Sequence, residues 1–368
     1  MTVMTSPMSL DLEITNRCNL RCRYCYHFES PGDVRGDLPA ADWLNFFEEL
    51  GRSAVFNVCL CGGEPFLRED LVVLLRGIVR NRMRYSLLSN GTLITDRYAA
   101  LLAETERCDG VQVSIDGAIP STHDAFRGKG SFARAVRGIR CLQSRGVPVT
   151  VRVTIHRKNV QELDEIAGFL LEELELPEFS TNSASYMGSC RRNRELVCLT
   201  VRERMLAMEK LVRLEQKYPG RISATAGPLA EGRMWTEMEK ARRERRPGFP
   251  GGGFLTGCGG PNQKLSVRAD GVITPCNQMN HVELGRINRD ELRRVWQNHP
   301  ELKRLRKRHR IPLESFSFCR GCEYIPYCTG NCPALAYTLT GMTVHPSPDA
   351  CLRRFLSEGG TLPDLPAA

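Results

Sequence analysis

Between Ser9 and Ser183 the chain alternates a short apolar run with a stretch of helical spacing, six times over. In Ser9–Thr15, Leu10, Leu12 and Ile14 alternate with polar residues, the period-two signature of a strand. Asn57–Cys61, Tyr85–Leu88, Val111–Ile115, Val147–Ile155 and Phe179–Ser183 read as five more strands. Between the first two, Ala40–Leu50 places Trp43, Phe46, Phe47 and Leu50 on one helical face. Helical periods also run over about 68–83, 95–106, 132–144 and 160–174. Such alternation dictates parallel strands, because a parallel pair needs a crossover helix rather than a tight turn. Six units fall short of a closed eight-fold barrel, so the expected fold is α/β, an open partial (β/α)6 barrel.

In parallel α/β folds chemistry gathers at the C-terminal ends of the strands. Four polar loops occupy those positions: the loop after Thr15, Gly62-Gly63-Glu64-Pro65, Ser89-Asn90-Gly91, and Ser114-Ile115-Asp116-Gly117. The first carries Cys18, Cys22 and Cys25 in a C-x3-C-x2-C spacing. A structural zinc site wants four ligands, usually drawn as two separated pairs. An all-cysteine iron–sulfur cluster also wants four thiolates. Three close cysteines with no local fourth can hold three corners of a [4Fe–4S] cube and leave one iron open to a ligand.

Sixteen cysteines exceed what packing needs. The N-terminal segment shows no secretory pattern, so the expected location is the cytoplasm and the expected role of the thiols is metal ligation. No apolar run approaches the length of a membrane span. After a helix over about 202–218 comes a basic, Gly/Pro-rich stretch, Lys240–Gly253, read as a linker or flexible loop. Lys264–Arg268 and Val272–Pro275 flank Ala269-Asp270-Gly271 as a small β-hairpin. Glu291–Trp296 and Glu301–His309 read as short helices. The expected division is 1–230, a linker at 231–257, and a cysteine-rich α+β domain over 258–368. The net charge of +9 comes largely from 240–246 and 303–310. Neither run interleaves aromatic residues for base stacking, so a solvated face or an acidic peptide partner is expected ahead of nucleic acid. Trp43, Trp235 and Trp296 read as core, as do Cys59 and Cys61. Cys108, Cys141, Cys190 and Cys198 carry no motif and default to structural roles.

The Cys18-x3-Cys22-x2-Cys25 motif, with Tyr24 before the last cysteine and GGEP at 62–65, resembles the signature of the radical S-adenosylmethionine (radical SAM) superfamily. The resemblance covers roughly 8–185. It implies that S-adenosylmethionine binds the open iron and is reductively cleaved to a 5′-deoxyadenosyl radical. It also implies that Gly62, Gly63 and Glu64 hold the methionine amine. Ser89 and Asn90 would lie near the ribose or methionine, and Ser114 near the ribose or carboxylate. Asp116 would shape its loop, and Arg127 would partner the carboxylate. A reductant such as flavodoxin or ferredoxin would feed the cluster.

From Cys258 onward the spacing resembles the SPASM domain, an auxiliary-cluster extension of these enzymes. The resemblance assigns Cys319, Cys322, Cys328 and Cys351 to one [4Fe–4S] cluster. Cys258, Cys276 and Cys332 would serve a second, one thiolate short. Some relatives place a further cysteine where this chain has Lys264; the second cluster would then keep an open or non-cysteine position available to substrate, with Cys190 or Cys198 as the alternative ligand. The implied function is hydrogen abstraction from a peptide or protein side chain, as in ribosomal-peptide maturation. The alternatives are sulfatase-maturase-type Ser/Cys oxidation, haem or other small-molecule cofactor synthesis, and, more remotely, a non-catalytic zinc or electron-transfer protein. Asn277 stands where sulfatase-maturing relatives carry an aspartate base, with Asp270 as a substitute. The first strand begins near residue 9, so an N-terminal peptide-recognition domain is not expected and a separate recognition protein would take its place.

Overall fold

The structure, a computed structural model, describes residues 3–28 and 36–364. The expected strands form as β1 (Ser9–Thr15), β2 (Asn57–Gly62), β3 (Arg84–Ser89), β4 (Cys108–Ser114), β5 (Val149–Ile155) and β6 (Phe179–Ser183). Short strands follow: β7 (Ile222–Ala224), β8 (Lys264–Val267), β9 (Val272–Thr274) and β10 (Gly285–Arg286). β1 through β4 pair in parallel in sequence order, and the sheet stays open. The expected α/β architecture is therefore present.

The chain divides into two compact units. The first contains Met1–Ile115, Ile119–Val151 and Gly260–Arg304; the second contains Asp116–Ala118, Arg152–Gly259 and Leu305–Ala368. They do not follow chain order. The hairpin expected around Asp270 forms, with β8 and β9 antiparallel. β8 also pairs in parallel with β1, so a segment beyond Cys258 extends the first unit's sheet.

In the first unit, the period-two pattern of β1 sends Leu10, Leu12 and Ile14 to one face, each with no exposed surface. Val58, Leu60, Tyr85 and Leu87 continue that face. Helix Ala40–Arg52 buries Trp43, Phe46, Phe47 and Leu50, and helix Leu71–Arg80 buries Leu71, Leu74, Leu75 and Ile78. Each such side chain contributes about 1.5–3 kcal/mol of transfer free energy. The opposite face of β1 and β2 carries Asp11, Glu13, Cys59 and Cys61, paired in register as Asp11 with Cys59 and Glu13 with Cys61. The helices thus claim one face and leave polar residues to the other.

In the second unit β6 and β7 run parallel. The stretch expected as a linker instead begins as helix Pro228–Arg243. Leu229, Gly232, Trp235, Met238 and Ala241 recur every third residue and are buried, which gives the helix a core stripe despite its basic C-terminal end. Trp235 packs against Phe355, ring centroids 4.9 Å apart and tilted by 41°. Beyond the helix the chain is pinned: the Phe249 amide donates to the Pro326 carbonyl at 3.0 Å. A Cβ on Gly252 would stand 2.0 Å from that same oxygen, so glycine here serves close approach rather than flexibility. The arginines of the first basic run are largely ion-paired, Arg242 and Arg243 with Glu239 and Arg246 with Glu237.

Candidate active site

Cys18, Cys22 and Cys25 lie on the loop leaving β1, and that loop is braced from several sides. Asp37 accepts hydrogen bonds from Thr15 Oγ1 (2.6 Å), the Asn16 amide (2.7 Å) and Arg17 Nε (3.1 Å). The Arg21 guanidinium folds back onto the carbonyls of Cys18 and Leu20. The Cys25 amide donates to the Cys22 carbonyl at 3.1 Å, closing a turn. Helix Pro120–Arg127 supports the other side. Its Phe126 carbonyl accepts from the Arg23 amide (3.0 Å), and its ring stacks on Tyr24 at 6.3 Å and 26°. Arg127 lies 5.3 Å from the Tyr24 ring and its charge favours the Cys25 thiolate, although burial raises that thiol overall. Sequence reading gave no helix there; Pro120 in the first turn was the available signal.

The exit of β2 presses against this loop. The Gly63 amide donates to the Thr15 carbonyl and the Glu64 amide to the Arg17 carbonyl, both at 2.8 Å. A Cβ on Gly62, whose φ is +120°, would stand 2.2 Å from Thr15 O; one on Gly63 would stand 2.0 Å from Arg17 O. Only glycine permits this approach. Because these two amides already serve the cysteine loop, what remains for a ligand amine is acceptors: backbone carbonyls and the Glu64 carboxylate.

Glu64 is wholly buried. Oε1 accepts from Ser89 Oγ (2.8 Å) and the Phe66 amide (3.3 Å), and Oε2 accepts from the Asn90 amide (2.8 Å). Burial pushes its carboxyl up to about 7 against the opposing pull of those hydrogen bonds. A cation placed beside it would restore the ionised form. Asn90 accepts from the Thr92 amide (2.9 Å) and hydroxyl (2.6 Å), and donates to Asn19 Oδ1 (2.9 Å). Its amide nitrogen also stands 3.8 Å from Cys18 Sγ. Ser89 and Asn90, expected near ribose or methionine, thus hold Glu64 and the cysteine loop in place. Ser114 is half-buried at the end of β4. Asp116, in the second unit, accepts from the Thr154 amide at 2.9 Å, and Asn159 bridges the carbonyls of Asp116 and Thr154.

The polar face of β1 and its neighbours lies in the same unit. Lys264 Nζ pairs with Asp11 at 2.8 Å. His27 Nδ1 stands 3.7 Å from Glu13 Oε1, both side chains buried. Cys61 is buried and Cys59 half-buried; burial pushes the Cys59 thiol up to about 11 and Cys61 well above its usual range. These are packed, inert thiols. Asn277 donates to Tyr26 Oη at 3.2 Å, and Asp270 is clamped by Arg268 through both oxygens. Neither offers a free carboxylate base.

In the second unit Cys319, Cys322, Cys328 and Cys351 line one small cavity of about 30 Å³. Burial pushes Cys319 up to about 12, and the other three thiols add to that through their charges. Cys332 is likewise raised by burial, with Cys258 contributing; the Arg308 charge opposes it. Cys276 belongs to the first unit, where its carbonyl accepts from the Met279 amide at 3.0 Å. Among the described residues no three His, Cys, Asp or Glu side chains converge on a single ion; a multi-iron cluster spreads its ligands over several metals. Three loop thiols beside a buried carboxylate, and four thiols around one cavity, suit such clusters chemically.

The radical SAM superfamily model matches residues 12–170, and an iron–sulfur cluster-binding (SPASM) domain model matches 258–323. Over 366 residues the chain is 30% identical to a pre-heme d1 synthase of Dinoroseobacter shibae, covering 96% of this chain and 87% of that protein. This chain belongs to the radical SAM superfamily. It is also 26% identical over 340 residues to a PqqA peptide cyclase of Ruegeria pomeroyi, covering 91% and 85% of the two chains. The crystal structure of Streptococcus suis SuiB bound to its precursor peptide SuiA shares the fold, with a TM-score of 0.72 at 17% identity over 95% of this chain and 76% of that one. Membership implies a [4Fe–4S] cluster, S-adenosylmethionine and auxiliary iron–sulfur clusters. No helix among the described residues is long and apolar enough to cross a membrane.

Proposed function

We propose that this radical SAM/SPASM enzyme abstracts hydrogen from a peptide or protein side chain. When bound, the [4Fe–4S] cluster and S-adenosylmethionine supply one-electron reductive cleavage to a 5′-deoxyadenosyl radical. Cys18, Cys22 and Cys25 would hold that cluster. Glu64 and the carbonyls of Gly62 and Gly63 would accept from the methionine amine, and Arg127 would meet the carboxylate. Ser89 and Asn90 act through Glu64 and the cysteine loop, and Ser114 and Asp116 shape the neighbouring strand exit. Cys319, Cys322, Cys328 and Cys351 would hold one auxiliary cluster. Cys258 and Cys332 would contribute ligands to a second.

The observation that carries the chemistry is the contact of the Gly62–Glu64 turn with the three-cysteine loop, which brings a buried carboxylate close enough for its charge to act on the Cys18 thiol. The substrate class rests on the peptide-acting relative and the peptide-bound fold neighbour. A tetrapyrrole substrate is the second reading, favoured by the full-length match to a pre-heme d1 synthase.

The test is anaerobic reconstitution with iron and sulfide, S-adenosylmethionine and dithionite. Formation of 5′-deoxyadenosine with roughly twelve irons per chain supports three clusters. Peptides encoded beside the gene should then raise turnover and change mass by hydrogen loss. Turnover stimulated by an iron porphyrin carrying propionates, and not by those peptides, would transfer the assignment to the tetrapyrrole reading. Stoichiometric zinc with little iron would sink both.

A further inference from the structure

Cys190 and Cys198, named above only as an alternative ligand for the second cluster, belong to neither assigned ligand set, and the fold brings them together. Gly188, at φ 54°, starts the one-turn helix Ser189–Arg192, and a second turn, Arg194–Val197, follows at once. The Asn193 amide donates to the Ser189 and Cys190 carbonyls, and the Cys198 amide donates to Arg194 O at 2.8 Å. Folding one short turn onto the next sets the two sulfurs 3.7 Å apart. That is van der Waals contact, roughly 1.7 Å longer than a disulfide bond, a gap that side-chain rotation can close.

The two thiols differ in access. Cys190 has no exposed surface. Cys198 lines a pocket of about 460 Å³ with Tyr186, Arg194, Arg204, Asp349 and Cys351. Access, not acidity, marks Cys198 as the attacking thiol: it opens to the pocket while Cys190 is enclosed. An accessible attacking thiol beside a buried resolving thiol is the arrangement thiol–disulfide exchange requires.

We propose that Cys190 and Cys198 form a redox-active dithiol that exchanges with a low-molecular-weight or protein disulfide entering the pocket beside Cys198. The Cys198 thiolate attacks one sulfur of the incoming disulfide, breaking its S–S bond and releasing one thiolate. Cys190, losing its proton to that leaving thiolate, then attacks Cys198 Sγ in the mixed disulfide and releases the second. The protein dithiol is oxidised by two electrons, and the incoming disulfide is reduced to two thiols.

The test uses the cluster-loaded full chain under anaerobic conditions, equilibrated with glutathione and glutathione disulfide at graded ratios. It is then quenched by alkylation and mapped by mass spectrometry. Alkylation of both cysteines should fall together by more than about tenfold at oxidising ratios, with a linked Cys190–Cys198 peptide appearing. Cys59 and Cys61 should stay alkylatable after denaturation. Cys190→Ser should trap glutathione on Cys198, and Cys198→Ser should leave Cys190 unmodified. Iron content should be unchanged in both variants. Full alkylation at every ratio would overturn the proposal. So would protection of the pair that depends on cluster loading, or loss of about four irons in either variant, because both mark a cluster ligand. The wild-type mapping needs no substitution, so a variant that fails to fold leaves the result standing.

Discussion

Two sets of cysteines in this molecule are held by opposite means. Cys18, Cys22 and Cys25 lie within eight residues of chain, on a loop fixed by Asp37, Arg21, Asn90 and the Gly62–Glu64 turn. Cys319, Cys322, Cys328 and Cys351 are spread over 33 residues and meet around a cavity. Cys319 packs with Leu255 and Leu313, and Cys322 and Cys328 pack against a larger core that includes Trp235, Tyr324 and Phe355. The first set sits on one hydrogen-bonded loop and, in the assignment proposed above, has one ligand too few. The second, in that assignment, has a full complement and joins segments distant in sequence. A three-thiol set leaves a cluster position for chemistry, and a four-thiol set closes it, so the first should govern turnover and the second stability.

The largest expected effect tests the first half of that contrast. Cys22→Ala should drop 5′-deoxyadenosine formation to background and remove roughly four irons, with little change in the unfolding midpoint. Cys351→Ala should also remove roughly four irons, but its main cost should be thermal stability, because cluster binding there supplies folding free energy. Calorimetry of both variants, paired with iron analysis, would break the contrast if the two lost stability equally.

Glu64 offers the next test. Its folded-state pKa, about 7, lies above the ordinary 4.5. A raised carboxyl favours the protonated fold, so its contribution is full at low pH and is lost as pH rises from about 4.5 to about 7. The span amounts to about 3 kcal/mol. Urea titrations of the protein without S-adenosylmethionine should show that decline. Glu64→Gln should flatten it and weaken S-adenosylmethionine binding by about 10-fold to 100-fold, the range for loss of a positioned charge partner. An undiminished slope in the variant would assign the pH effect elsewhere.

Asn90→Ala removes two donors and an acceptor from the loop beneath Cys18. A fall of about tenfold in S-adenosylmethionine cleavage, with a shifted reduction potential for the first cluster, is expected. Asn90→Asp should leave the potential closer to wild type only if the acceptor matters more than the donors. Least affected should be Arg243→Ala, which breaks an exposed pair with Glu239. Its stability change should stay within about 0.5 kcal/mol, and activity should not move.

Much of the barrel was legible because strand and helix periods are local: Leu10, Leu12 and Ile14 announce β1 whatever lies elsewhere. The basic stretch after Lys240 misled because composition hid a three-residue apolar stripe from Leu229 to Ala241. Helix Pro120–Arg127 was missed because its role, bracing Tyr24 from about a hundred residues away in sequence, leaves only a weak local pattern.

The sequence by itself determined the parallel strand–helix alternation of β1 through β4, the three-cysteine loop and the glycines that let β2 reach it. Those depend on side-chain periodicity and on residue types that few other amino acids can replace. Tertiary structure decided what Ser89 and Asn90 touch, which face Cys59 and Cys61 share with Asp11 and Glu13, and that Cys190 meets Cys198. It also placed β8 beside β1. These are outcomes of packing between segments distant in sequence or folded sharply back, where hydrogen-bond satisfaction and burial, rather than local propensity, choose the partner.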